Sequence, residues 1–155
     1  MTIHYHALDA DLVDALRAGG PDANGAPAER AVSNGQGAPC RCCLKDIPAG
    51  APILLLSHRP FPAPQPYAEA GPIFLCETCE RAEAGAEAPP IIATRAAHLV
   101  KGYTADHRIK YGTGQITPTE DVHAYCEALL ERGDIAFVDI RSSVNNCFFC
   151  RVMRA

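Results

Sequence analysis

The chain has 155 residues, enough for one domain with its own core, and 48% of them are hydrophobic. A net charge of −4 and only three lysines argue against the clustered basic surface that phosphate backbones require, so nucleic acid is not an expected partner. No apolar run approaches the roughly 18 residues of a membrane span, and the opening "MTIHYHALDADLVDAL" has neither a basic n-region nor an h-region, so the expected setting is cytoplasmic.

In chain order, "IHYHAL" alternates weakly and reads as an edge strand. "DADLVDALRAGG" is a short helix, capped by Asp9 or Asp11, striped by Leu12, Val13 and Leu16, and stopped by Gly19 and Gly20. After a stretch rich in Gly, Pro and Asn, with one strand near Arg30–Val32, comes "APCRCCLKDIPAG", three cysteines in four positions followed by a turn. "APILLLSH" is a continuous apolar run and so a buried strand, and "PIFL" is a second one leading into Cys76. The prolines at 60, 62, 64 and 66 make the connection between them an extended surface segment. "ETCERAEAGAEA" is expected to be a short helix over 77–88, ended by Pro89-Pro90.

The second half is more regular. "AAHLVKGYTADHRIKYGTG" predicts a hairpin turning near Ala105–Asp106. "TPTEDVHAYCEALLERG" predicts a helix with Thr117 as N-cap, Pro118 at N1 and Glu120 completing a capping box, its stripe formed by Val122, Cys126, Leu129 and Leu130. "IAFVDIR" and "CFFCRVMR" form a last hairpin across "SSVNN". The class is α+β: a single small domain of hairpins with two or three short helices over 1–155. Residues 1–27 read as an N-terminal strand and helix extension to it.

Two cysteine pairs share one spacing, Cys40 with Cys43 and Cys76 with Cys79. A Cys-x2-Cys turn brings two thiolates to one point, and two such turns supply the four tetrahedral ligands that zinc prefers. With the intervening strands and the expected helix, segment 40–88 resembles a treble-clef zinc finger, and a helix start would favour thiolates at Cys76 and Cys79. The alternatives are four buried reduced thiols or disulfides. His58 is a weaker candidate to replace one of the cysteines. Cys42 reads as a non-ligating passenger of the turn, exposed and activated by Arg41. Cys126 reads as core. Cys147 and Cys150 repeat the spacing, but on a strand positions three apart face opposite sides.

Several strings together, "APCRCCL", "PAGAPILLLSHRPFP", "PYAEAGPIF", "KGYTADHRIKYG" and "VDIRSSVNNCFFCRVMRA", resemble the bacterial family catalogued as domain of unknown function 1203, over roughly residues 28–155. That resemblance brings no assigned activity. It implies a Cys-Arg-x-Cys-Leu string, matched by Cys40, Arg41, Cys43 and Leu44, in which the place of Cys42 is commonly another residue, often His. It also implies a His followed by a Cys where Cys76 and Cys79 stand, an exchange that keeps a zinc ligand. Arg141, Asn146 and Cys147 match the family's C-terminal pattern, and Cys150 is the less typical residue.

Two function classes remain. One is a binding module for a small molecule or a protein, with structural zinc and no catalysis. The other is a thiol enzyme or redox sensor using Cys42, Cys147 or Cys150, in a pocket gathering Arg41, Arg59, Tyr67, Tyr103, Arg141 and Asn146. Arginines and tyrosines there would suit a small anion.

Overall fold

The chain builds two antiparallel sheets, described over residues 1–155 in a computed structural model. The larger sheet has five strands, β1 (Ile3–His6), β5 (Ala97–Tyr103), β6 (Gln115–Pro118), β7 (Phe137–Ser142) and β8 (Phe148–Arg154), in the order β1-β8-β7-β5-β6. The smaller has three, β2 (Glu29–Val32), β3 (Pro52–His58) and β4 (Gly71–Cys76), in sequence order. Three short helices accompany them: α1 (Ala10–Arg17), α2 (Pro90–Ala93) and α3 (Val122–Leu130). No helix is long and apolar enough to cross a membrane.

Each sheet has its own core. Val122, Cys126, Leu129 and Leu130 of α3 pack with Val100 of β5, Val138 and Ile140 of β7 and Val152 of β8, within a cluster of 17 buried residues. A second cluster of 13 joins Val13 and Leu16 of α1 to Leu54 and Leu56 of β3 and Ile73 and Leu75 of β4. The N-terminal residues are therefore integral to both halves: β1 pairs with β8 at the edge of the large sheet, and α1 covers the small one.

The final hairpin links the two cores. Opposite Ile140 and Arg141 the β7–β8 ladder is bulged, with Ile140 facing Cys150 and Arg141 facing Phe148. The extra residue lets Phe148 join the small-sheet core while Phe149 and Cys150 join the large one. Asp139 is fully buried on β7, and Arg151 satisfies it from β8 with Nε at 2.7 Å and Nη2 at 3.0 Å.

Three elements differ from the sequence expectation. Residues 77–88 form no helix. Their backbone groups pair outward instead: Ala82 N–H donates to Cys42 O, Tyr5 and Gly85 exchange both hydrogen bonds, and Arg81 reaches Leu8 O. A short, mostly exposed stretch gains more from these bonds than from a marginal isolated helix. The finger-like segment keeps its knuckle, its two strands and its second cysteine pair, but not the helix that was to follow.

The 97–103 strand does not ladder with residues 107–111, which contribute a single bridge between Tyr103 and Ile109; it pairs instead with β6 on one side and β7 on the other. That pairing claims Thr117 and Pro118, the expected cap and first helical residue. Pro118 is extended (φ −53°, ψ 143°), a 3-10 turn follows over Thr119–Asp121, and α3 starts only at Val122.

Candidate functional site

The knuckle Cys40–Leu44 closes on itself because Leu44 N–H returns to Cys40 O at 3.0 Å and Leu44 takes a left-handed conformation (φ 56°). Cys40 bridges to Phe74 on β4, which sets the knuckle beside the strand that ends at Cys76. Cys79 follows three residues on. All four sulfurs, of Cys40, Cys43, Cys76 and Cys79, lie within 4.8 Å of one another and could hold a metal ion. Cys40 Sγ is 3.9 Å from Cys79 Sγ, and Cys43 Sγ is 4.0 Å from Cys76 Sγ. Neither pair is a disulfide, which needs about 2.05 Å.

Those two separations are close to the edge of the tetrahedron that zinc requires. Four sulfurs about 2.3 Å from a central ion stand about 3.8 Å apart. Cys40 is fully buried, and its sulfur accepts N–H groups from Cys42 (3.4 Å) and Cys76 (3.2 Å). The neighbouring Cys43 thiol and these main-chain donors hold the Cys40 thiol far down, at about 4, while burial pushes Cys76 up to about 12. Arg17, at the end of α1, donates through Nη2 to Cys79 Sγ and Cys76 O, both at 3.1 Å. It brings a positive charge directly against a cluster sulfur.

Arg17 carries no motif, and nothing in the sequence connects it to a cysteine sixty-two positions away. The connection is made by α1 packing on the small sheet. His58 does not join the four sulfurs: its ring packs on Phe148 at 5.6 Å and its Nε2 is buried without a partner.

The remaining cysteines are placed differently from the sequence reading. Cys42 is only 1% exposed, and burial pushes its thiol up to about 12, so it is neither accessible nor activated. Its side chain fills the small-sheet core because the knuckle lies against β4 rather than in solvent. Cys126 packs in the large core as expected. Cys150 is buried there too, its thiol pushed well up by burial, whereas Cys147 is half-buried at the turn before β8. The bulge cancels the simple alternation expected between Cys147 and Cys150. Burial is what separates them.

Of the six residues expected to share a ligand pocket, the fold gathers three. Arg141 and Asn146 line a small cavity of about 160 Å³ with His58, Glu69 and Cys147. A neighbouring cleft of about 660 Å³ is lined by Arg41, Arg95, Phe149 and again Cys147. Arg41 is 2% exposed; burial draws it down to about 10, so it remains protonated at neutral pH. It donates to the carbonyls of Phe148 and Pro39 and lies over the Phe149 ring. Tyr103 is buried behind, stacked on Phe137. Arg59 and Tyr67 lie elsewhere: Arg59 lines surface depressions beside Phe61, and the Tyr67 hydroxyl bonds Tyr111 at 2.8 Å. Arg95 joins the cleft from the end of α2, again with no motif to announce it.

The chain belongs to the family described as protein of unknown function (DUF1203), whose model matches residues 37–154. No curated protein and no solved structure matches it. The match begins after β2, so Arg17, which reaches the cysteine cluster, lies outside the matched region.

Proposed function

We propose that the chain is a zinc-stapled binding module whose metal is structural and whose ligand is a small molecule. The observation that carries this reading is the convergence of four cysteine sulfurs, from two Cys-x2-Cys pairs, within 4.8 Å of one another. Four protein ligands leave a zinc ion no open position for substrate or activated water, the mark of structural sites. All-sulfur donors favour zinc over the harder cations, which prefer oxygen. Arg17 and the N–H groups on Cys40 would orient and stabilise the thiolates from the second layer. A small molecule is favoured over a protein because the arginines lie in concave cavities rather than on a flat patch.

Elemental analysis of protein purified without added metal tests the reading. About one zinc per chain is expected. A well-folded protein with zinc near zero overturns it.

Thiol chemistry has one supported location. Cys147 stands on the wall shared by both cavities, while Cys42 and Cys150 are buried. In native alkylation across pH, Cys147 would react before the other seven thiols.

A further inference from the structure

We infer that the two cavities flanking Cys147 form one binding site for a small organic anion, its oxyanion head group on Arg141 and its apolar body in the cleft of Arg41 and Phe149. The inference rests on the reading of the chain as a zinc-stapled binding module and names the ligand class that module takes.

Arg141 is the first argument. It is 3% exposed, near the end of β7. Its Nη1 donates to Asn146 O at 3.1 Å; Nε and Nη2 make no well-formed hydrogen bond, and the buried Tyr103 hydroxyl beside the guanidinium is itself without a partner. The nearest carboxylate oxygen, Glu69 Oε1, is 3.6 Å from Nη2 and is already held by Lys101 Nζ at 3.0 Å. The other Glu69 oxygen takes Asn146 Nδ2 at 3.1 Å. A buried guanidinium with unused donors is costly and calls for a partner, a bound anion or ordered water, to complete it. Nε and Nη2 are adjacent donors, the fork that grips a carboxylate or phosphate with two parallel bonds. His58 Nε2, on the same cavity, is also buried without a partner. The cavity of about 160 Å³ holds a head group and little more.

The adjoining cleft supplies the rest. It shares Pro72, Asn145 and Cys147 with the first cavity, so one ligand can reach both. Two of Arg41's guanidinium nitrogens bond main-chain carbonyls, and no carboxylate pairs with it. Arg95 stands over the same Phe149 ring but is paired with Asp46 at 2.8 Å. Counting Arg41, Arg95, Arg141 and Lys101 against Asp46 and Glu69, the site is positive inside a chain of net charge −4. Pro39, Phe74, Phe149 and the exposed Val144 supply apolar walls. The cleft's 660 Å³ is in the range of small-molecule sites.

The test is calorimetric titration of the zinc-loaded full chain with inorganic phosphate, benzoate and phenyl phosphate. At least one probe should bind saturably, about one per chain. Benzoate alone assigns a carboxylate ligand; phosphate and phenyl phosphate together assign a phosphate. Arg141→Gln should weaken binding about tenfold or more, as loss of a bidentate charged contact does. It should change thermal stability little without ligand, because the buried charge it removes has only one hydrogen bond and a 3.6 Å contact with Glu69 to offset its desolvation. Asn145→Asp, on an exposed residue of the shared wall, changes charge without shape and should weaken binding about fivefold even if Arg141→Gln does not fold. No saturable binding by any probe, or unchanged affinity in Asn145→Asp and in a folded Arg141→Gln, overturns the inference. Zinc is measured in the same samples. Zinc near one per chain with no anion bound overturns this inference alone. Anion binding by protein that folds without zinc supports the site and overturns the zinc reading instead.

Discussion

The two sheets are held together by different means. The five-stranded sheet lies against α3 over 17 buried residues, and its central β7 is buried along almost its whole length. The three-stranded sheet has 13, of which two are Cys40 and Cys42, and its edge strand β2 is exposed at every position. It also carries the longest irregular stretches, residues 33–51, 59–70 and 77–89. Closing such loops costs chain entropy, and a small core offsets little of it. The large half is a packed hydrophobic structure. In the small half, four sulfurs bring the knuckle, the end of β4 and the segment after it to one point where they could hold a metal ion. Under the proposed zinc reading the chain joins a packed core to a stapled one, and its polar cavities lie where the two meet.

Loss of the staple is the strongest way to break that contrast. Structural zinc in small domains stabilises by roughly 10 kcal/mol or more, because binding and folding are coupled. Chelation, or Cys79→Ser, should abolish hydrogen-exchange protection across β3 and β4 while the α3 amides stay protected. Equal loss in both halves would show one cooperative unit instead of two.

A core deletion probes the other side. Leu130, the last residue of α3, is fully buried, and Leu130→Ala should cost about 2–5 kcal/mol with zinc stoichiometry unchanged. Denaturant unfolding followed by metal release checks this. Zinc lost in step with the large core would couple the two halves.

Acid acts at the boundary. His58 is held neutral, down at about 4 from 6.5, chiefly by burial and then by Arg151, Arg41 and Arg141. The unfolded chain takes up this proton first as pH falls. Stability is therefore complete above about 6.5 and is lost toward pH 4, by up to about 3 kcal/mol. The pH slope of urea midpoints should flatten by about one proton in His58→Gln. An unchanged slope would remove His58 from the account.

The smallest effect is at Arg17. Arg17→Ala removes the donor to Cys79 Sγ and Cys76 O, and zinc affinity in a competition titration should fall about tenfold, as for other outer-layer contacts. An unchanged affinity would mean that α1 merely covers the finger.

What the amino-acid sequence determined by itself is what local pattern can encode. The two Cys-x2-Cys pairs, the apolar runs of β3 and β4, the helix α1 between Asp9 and Gly19-Gly20, and the β7–β8 hairpin all follow from spacing and burial within about ten residues. The family strings placed Arg41, Arg141, Asn146 and Cys147 in order along the chain without placing them in space. Tertiary structure decided the rest, because buried backbone and charged groups take whichever partner the fold brings near. Residues 77–88 give up their helix to bond Cys42 and Tyr5, and β6 claims the expected cap of α3. The knuckle buries Cys42, which local sequence had marked as exposed. One bulged residue in β8 sends Phe148 and Phe149 to different cores, and that same bend sets Cys147 between two buried arginines a hundred positions apart.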